Sequence, residues 1–228
     1  LELTRQLLEV LADFRHPVAV ITKNHLVTRD VDLLAELARW EAVGVVLSIT
    51  TLRNELQRVM EPRTAVPARR LDAIRKLARA GVPVGVNVAP VIPGLTDHEV
   101  PAILEAAAGA GASRAGYILL RLPHGVEDLF VTWLEQHFPD RKDRVLNRLR
   151  ECVTGDAAPG ADAPLYDSDW GVRKKGRGAY AGQIRSMFQV ACRRAGLATD
   201  RGGAGLSTAA FRRPHGPGGQ TELFGTGS

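Results

Sequence analysis

Apolar residues recur along the chain with two spacings. Leu3, Leu7, Leu8, Leu11 and Phe14 fall at helical intervals and predict a helix over Thr4–Phe14; the uncharged, β-branched run Val18–Thr22 predicts a strand. The alternation then repeats: helix Val31–Trp40 with Asp30 as N-cap, strand Val43–Ile49, a loop at Thr50 and Thr51, and helices Leu52–Met60 and Pro67–Ala80. Gly81 stands where a C′ glycine stops a helix, and a strand opens at Val82. Helix Glu99–Ala108 and strand Gly116–Leu122 complete the series. Strands each entered from a helix predict parallel βα units with right-handed crossovers, an α/β fold.

The strands are Val-rich runs without strict alternation, so helices must cover the sheet on at least one face, as in a barrel or open barrel. Four strands cannot close a barrel. Either the sheet is an open doubly wound one, or further strands lie outside these 228 residues. The sequence starts without Met and inside a helical pattern, which raises the expectation of a missing N-terminal portion.

Past Pro123 the strand pattern stops. Val126–His137 and Arg141–Cys152 predict two amphipathic helices separated by Pro139, 154–164 reads as a linker, and Ala179–Ala195 predicts another helix. Glycine-rich composition from Thr199 predicts a flexible tail. The expected organisation is therefore a barrel part over 1–123, a helical basic extension over 124–198 and a tail over 199–228.

Composition narrows the class. With 45% hydrophobic residues the chain can bury a sizeable core, and no apolar run reaches the roughly 18 residues of a membrane span. A cytoplasmic protein with no membrane partner is expected. Residues 1–140 hold 15 Lys/Arg against 17 Asp/Glu, whereas 141–213 hold 15 against 7. Basicity confined to the C-terminal third suits either a polyanionic partner, nucleic acid first, or a solvated basic surface. Cys152 and Cys192 lie outside any CxxC pattern, and the six histidines are scattered, so these residues predict no metal site. No phosphate loop and no serine nucleophile elbow is present.

Candidate chemistry gathers at strand ends, which share one rim in a parallel sheet. Lys23 follows the first strand, Ser48 and Thr50 flank the end of the second, Asn87 interrupts the apolar third, and Arg121 ends the fourth. In Glu61-Pro62-Arg63 the arginine either grips a carboxylate or phosphate or pairs with Glu61 on the surface. The turn Pro90–Gly94 offers backbone groups and an apolar wall to a flat ring, or is a rigid turn without a ligand.

Val20-Ile21-Thr22-Lys23, Ser48-Ile49-Thr50-Thr51, Glu61-Pro62-Arg63, Pro67-Ala68-Arg69-Arg70 and above all Ala89-Pro90-Val91-Ile92-Pro93-Gly94-Leu95-Thr96-Asp97 resemble radical S-adenosylmethionine proteins of the spore photoproduct lyase-like, DNA repair photolyase-like group. Tyr117–Pro123, Tyr166-Asp167-Ser168 and the terminal Gly-Gln-x-x-Leu-Phe are also similar. The resemblance implies a partial (β/α)6 TIM-like barrel, of which this chain holds the later strands, and a lyase-like iron-sulfur enzyme. In that family three cysteines of a CxxxCxxC motif bind a 4Fe-4S cluster, and S-adenosylmethionine is reductively cleaved to a 5′-deoxyadenosyl radical. The motif is absent from this sequence, so its ligands are expected in the missing N-terminal part, and the fragment alone is expected to be inactive.

Carried over by position, Ser48, Thr50, Arg63 and Asn87 are the polar candidates for the methionyl and ribose groups. Ala89, Pro90 and Ile92, with Tyr117 and Leu119, would line the adenine, and Arg121 would meet a carboxylate or a substrate phosphate. DNA or nucleotide repair is the implied role. Gln220, Leu223 and Phe224 resemble the pentapeptide that binds the bacterial sliding clamp. Two other readings stay open: a non-catalytic module that associates with DNA and the clamp, and a TIM-barrel-like enzyme acting on a small anion.

Overall fold

The computed structural model describes residues 3–123, 125–169, 174–199 and 205–213. Its first part alternates as the apolar pattern predicts: α1 (Leu3–Asp13), β1 (Val18–Thr22), α2 (Val31–Ala38), β2 (Val43–Ser48), α3 (Asn54–Met60), α4 (Pro67–Arg79), β3 (Val84–Val91), α5 (Val100–Gly109) and β4 (Arg114–Leu119). There follow α6 (Val126–His137), α7 (Lys142–Thr154), α8 (Gly178–Ala195) and a two-residue strand β5 (Ala198–Thr199). The sheet runs β1-β2-β3-β4-β5 with every neighbour parallel.

Helices cover one face of this sheet. Val45, Leu47, Val84, Val86, Val88, Ala115 and Tyr117 are buried and share a core with Leu34 and Leu37 of α2, Ile74 and Leu77 of α4, Ile103 and Leu104 of α5, and Ile184 and Phe188 of α8. Residues one step out of phase project the other way, because side chains alternate along a strand. In register they are Ile21 with Val46, Val46 with Gly85, and Ser48 with Asn87 and then Gly116. Ile21 is 68% exposed. This face is the concave side of an incomplete barrel. A second core of Ile92, Leu95, Leu122, Leu134, Val145, Leu146, Leu149 and Leu165 joins the turn after β3 to α6 and α7.

Several boundaries moved for local reasons. Strand β4 spans Arg114–Leu119 rather than Gly116–Leu122, since its pairing with β3 starts at Gly85 opposite Arg114. Helix α3 starts at Asn54 rather than Leu52, because Glu99 takes the Leu52 N–H at 2.9 Å and the Thr51 hydroxyl at 2.8 Å. Asp30 makes no side-chain cap on α2; its carboxylate is held by Arg29 at 2.8 and 2.9 Å, with Arg5 at 3.5 Å.

The expected flexible tail is in part ordered. Ala198 and Thr199 add β5 to the sheet, and 205–213 pack beside the N-terminal ends of β1 and β2. Leu206 lies 3.8 Å from where a Cβ on Gly44 would stand. Ser207 N–H donates to the Glu41 carbonyl, and Arg212 N–H and Nε donate to the carbonyls of Phe14 and Asp13. The Phe211 ring meets Phe14 and His16 at 6.4 and 5.7 Å. Phe211→Ala is expected to remove about 1 kcal/mol, a fall of roughly 2–4 °C in Tm by circular dichroism. An unchanged Tm would mean that the backbone bonds alone hold the strap. Trp170, and Gln220, Leu223 and Phe224 of the clamp-like motif, lie outside the described residues. Among the described residues no helix is long and apolar enough to cross a membrane.

Candidate functional site at the carboxyl rim of the sheet

Glu61, just beyond α3, is the hub of the rim. Lys23 from the end of β1 donates to its Oε1, and Arg70 of α4 donates to its Oε2 at 2.7 Å. The Thr50 hydroxyl stands 2.9 Å from both Glu61 Oε1 and the Ala89 carbonyl, and with one hydrogen it serves one acceptor at a time. Arg70 also donates to the Ser48 carbonyl at 2.9 Å, to the Ala65 carbonyl at 2.7 Å and to the Thr64 hydroxyl. Gln57 Nε2 bonds the carbonyls of Glu61 and Thr64. One buried network thus fixes the ends of β1, β2 and β3 against the α3–α4 loop. Burial pushes the Glu61 carboxyl up, and Lys23 and Arg70 outweigh it, so its pKa is lowered.

Asn87 contrasts with this closed network. Its backbone carbonyl accepts from Ile49 N–H at 2.9 Å, but its side-chain amide has no hydrogen-bond partner among the described residues. It lies on the open face between Ser48 and Gly116, with Oδ1 3.3 Å from the place of a Gly116 Cβ. Glycine at 116 therefore leaves that amide accessible. An accessible amide without a protein partner is open to water or to a ligand.

The other candidates divide. The Ala89–Pro90 bond is cis, and the Ala89 carbonyl belongs to the Glu61 network. Arg63 is exposed and does not pair with Glu61, whose oxygens are taken by Lys23 and Arg70. Ile92 is 1% exposed inside the second core, so its side chain lines no open surface. Tyr117 and Leu119 point to the helices: Tyr117 packs on Phe188 at 4.7 Å between ring centres, with Lys175 Nζ 3.6 Å from its ring centre. Only their backbone and the out-of-phase Ile118 face the concave side. Burial holds Lys175 down at about 8, and Arg185 and Lys174 push the same way.

The wall after β3 is held from outside the sheet. Asp97 accepts from Gly94 N–H at 2.9 Å and from the Tyr180 hydroxyl of α8, while Arg148 of α7 lies 4.3 Å from the Tyr180 ring centre. Burial first, then Asp97, pushes the Tyr180 hydroxyl up to about 12. Arg70 and Asp97 stand in the segments that carry the family resemblance, but sequence reasoning gave neither a role at the site. Arg70 had a signal: with Ala73, Ile74 and Leu77 it occupies the buried stripe of α4, a charge where spacing calls for an apolar residue.

Comparison with known proteins matches this rim to a family. A family model described as the Radical SAM superfamily matches residues 1–107, the stretch that holds β1 to β3 and the Glu61 network. Over those residues the chain is similar to the radical SAM superfamily. An uncharacterized protein of Mycobacterium tuberculosis is 34% identical over 137 residues, 59% of this chain and 39% of that protein. Two solved structures of spore photoproduct lyase share the fold. A cysteine-to-serine mutant superposes with a TM-score of 0.55 at 16% identity, over 87% of this chain and 55% of that one. A double mutant with bound AdoMet and dinucleoside spore photoproduct gives 0.54 at 18% identity, over 87% and 56%. The chain thus spans about two fifths of the length of its mycobacterial relative.

The chain's own side chains fit the two groups that this family likeness implies, a cluster and S-adenosylmethionine, unequally. Cys152 and Cys192 are buried in α7 and α8, where desolvation first of all raises their thiols to about 12 and about 11. Cluster ligands are thiolates, so these two residues do not fit a cluster. The unpartnered Asn87 amide on an open, glycine-flanked rim does fit a polar nucleoside group.

Proposed function

We propose that this chain forms the S-adenosylmethionine-binding wall of a radical SAM enzyme acting on nucleic acid or a nucleotide, with the iron-sulfur cluster held by cysteines outside these 228 residues. The observation that carries the reading is the Asn87 side-chain amide, without a hydrogen-bond partner among the described residues, on the concave face in the stretch that the family model matches. S-adenosylmethionine and the cluster together supply reductive carbon–sulfur cleavage when bound. The chain's residues bind and orient. Asn87 presents an amide N–H and carbonyl to ribose hydroxyls, and the Ala89–Pro90 backbone borders the same surface. Lys23, Thr50, Glu61 and Arg70 keep the strand ends in place, and Arg63 is exposed to meet a carboxylate. The fold likeness to a lyase holding a dinucleoside, together with the basic segment 141–213, supports a nucleic-acid or nucleotide substrate and a repair role for this protein.

In the full-length gene product, Asn87→Ala is expected to weaken S-adenosylmethionine binding about tenfold in calorimetry, the value of one or two lost hydrogen bonds. Arg63→Ala is expected to act in the same direction. Unchanged affinity in both would overturn the assignment.

A further inference from the structure

Where β4 ends, Arg121 is left with an incomplete set of partners. Its Nη2 donates to the Tyr166 hydroxyl at 3.2 Å, and the guanidinium carbon lies 5.7 Å from the Tyr166 ring centre. Its Nε is shielded from solvent and meets no acceptor among the described residues. Among the described residues no carboxylate there pairs with it, because Asp167 is taken by Arg177 at 2.6 Å and by the Asp169 N–H at 2.8 Å. A guanidinium cannot escape this by losing its proton, so an enclosed N–H without an acceptor calls for one from a ligand.

The space for that acceptor is present. Arg121 borders a cavity of about 20 Å³ shared with Leu119, Leu149, Leu165, Tyr166 and Gly176, room for roughly one water-sized atom. Gly176 admits no larger residue here, since a Cβ would stand 2.8 Å from Leu119 Cδ1 and 2.9 Å from the Cys152 carbonyl. Arg121 also lies five residues further along the chain than Gly116, on the order of 15 Å beyond the Asn87 row at strand spacing. That separation places it apart from the Asn87 contacts.

We propose that Arg121 and Tyr166 form an oxyanion subsite for a phosphodiester of the substrate. One phosphate oxygen enters the cavity to accept from Nε, and a second accepts from the Nη edge, the two-pronged geometry that suits arginine. Lys175 is held on Tyr117 and Arg177 by Asp167, but the exposed Lys174, whose carbonyl accepts from Leu119 N–H, adds positive charge beside β4. The proposal rests on the nucleic-acid reading above for its substrate, but not on S-adenosylmethionine binding.

Three probes test it on the purified chain by NMR titration at low ionic strength: a dinucleotide with one phosphodiester, the same dinucleotide with a neutral methylphosphonate link, and acetate. S-adenosylmethionine affinity of the full-length product is measured in parallel. The charged dinucleotide is expected to move the Arg121 Nε–H signal and to bind at least tenfold tighter than its neutral analogue. Arg121→Gln is expected to abolish that preference, Tyr166→Phe to reduce it about threefold, and Arg121→Lys to leave only part of it. All three are expected to keep S-adenosylmethionine affinity. Equal binding of charged and neutral dinucleotides, or a preference that survives in folded Arg121→Gln and Arg121→Lys, overturns the proposal. Acetate competing as well as the phosphodiester reassigns the subsite to a carboxylate and overturns it too. Loss of S-adenosylmethionine binding with the phosphodiester preference intact would sink the cofactor reading and leave this one standing.

Discussion

Arg70→Met is expected to cost about 3–5 kcal/mol, the scale of a broken buried ion pair and a large share of a domain's 5–15 kcal/mol. Arg70 is 1% exposed and serves Glu61, Thr64 and the carbonyls of Ser48 and Ala65. Methionine fills much of the same volume but supplies no donor. The Ser48 carbonyl is then left without this bond, and Glu61 keeps Lys23 and the Thr50 hydroxyl. Urea unfolding of both proteins measures the difference, and a loss below 1 kcal/mol would show that the network is not what holds the strand ends. The pH dependence carries a second signature. The Glu61 pKa is lowered in the folded protein, so its contribution is present above the ordinary carboxyl value near 4.3 and is lost as pH falls through the folded value. In Arg70→Met, burial is less opposed, the Glu61 pKa rises, and the acid loss begins at higher pH.

Gly178→Ala is expected to be nearly as damaging, at about 2–5 kcal/mol. Gly178 opens α8 at φ +76°, and a Cβ there would lie 2.8 Å from the Gly155 carbonyl oxygen and 2.9 Å from its Cα. Left-handed strain and overpacking each cost about 1–3 kcal/mol, and backbone at the end of α7 cannot swing aside as a side chain does. Gly125→Ala is the control. Gly125 has φ +72° but nothing within 4 Å of its added Cβ, so only the conformational cost of about 1 kcal/mol remains. Thermal unfolding of the two variants separates contact from strain, and equal losses would refute the close approach of α7 and α8.

The rim was partly legible in the residues. Asn87 was marked by a polar amide in an apolar strand, and the structure leaves that amide unpartnered on the open face. Ser48 and Thr50 were marked by strand ends that must share a side. Arg70 was legible as a charge on the apolar stripe of α4, yet its partners were not, because they come from β2, the loop at 61–65 and nothing adjacent in sequence. Glu61 likewise suited its neighbour Arg63 on paper and instead joined Lys23, 38 residues away. For Tyr117 and Leu119 the strand was right and the facing was not. A run buried by helices on one side and a concave wall on the other carries no alternation that tells the faces apart.

Period and punctuation were enough to determine the α/β alternation, the parallel strands β1 to β3 within two residues, the stop at Gly81 and the helices of the C-terminal part. Those follow from local rules, in which each residue's spacing and backbone preference act over one or two turns of chain. Only the tertiary structure decided the one-sided cover of the sheet, the Glu61 network, the addition of β5, the strap at 205–213 and the lone Arg121 Nε. β5 has two exposed residues, and Leu206 and Phe211 of the strap stand five apart, at neither helical nor strand spacing, so neither has a periodic signal. The Glu61 network joins residues up to 39 positions apart, and such pairings are set by the packed register of strands and helices rather than by any stretch read alone.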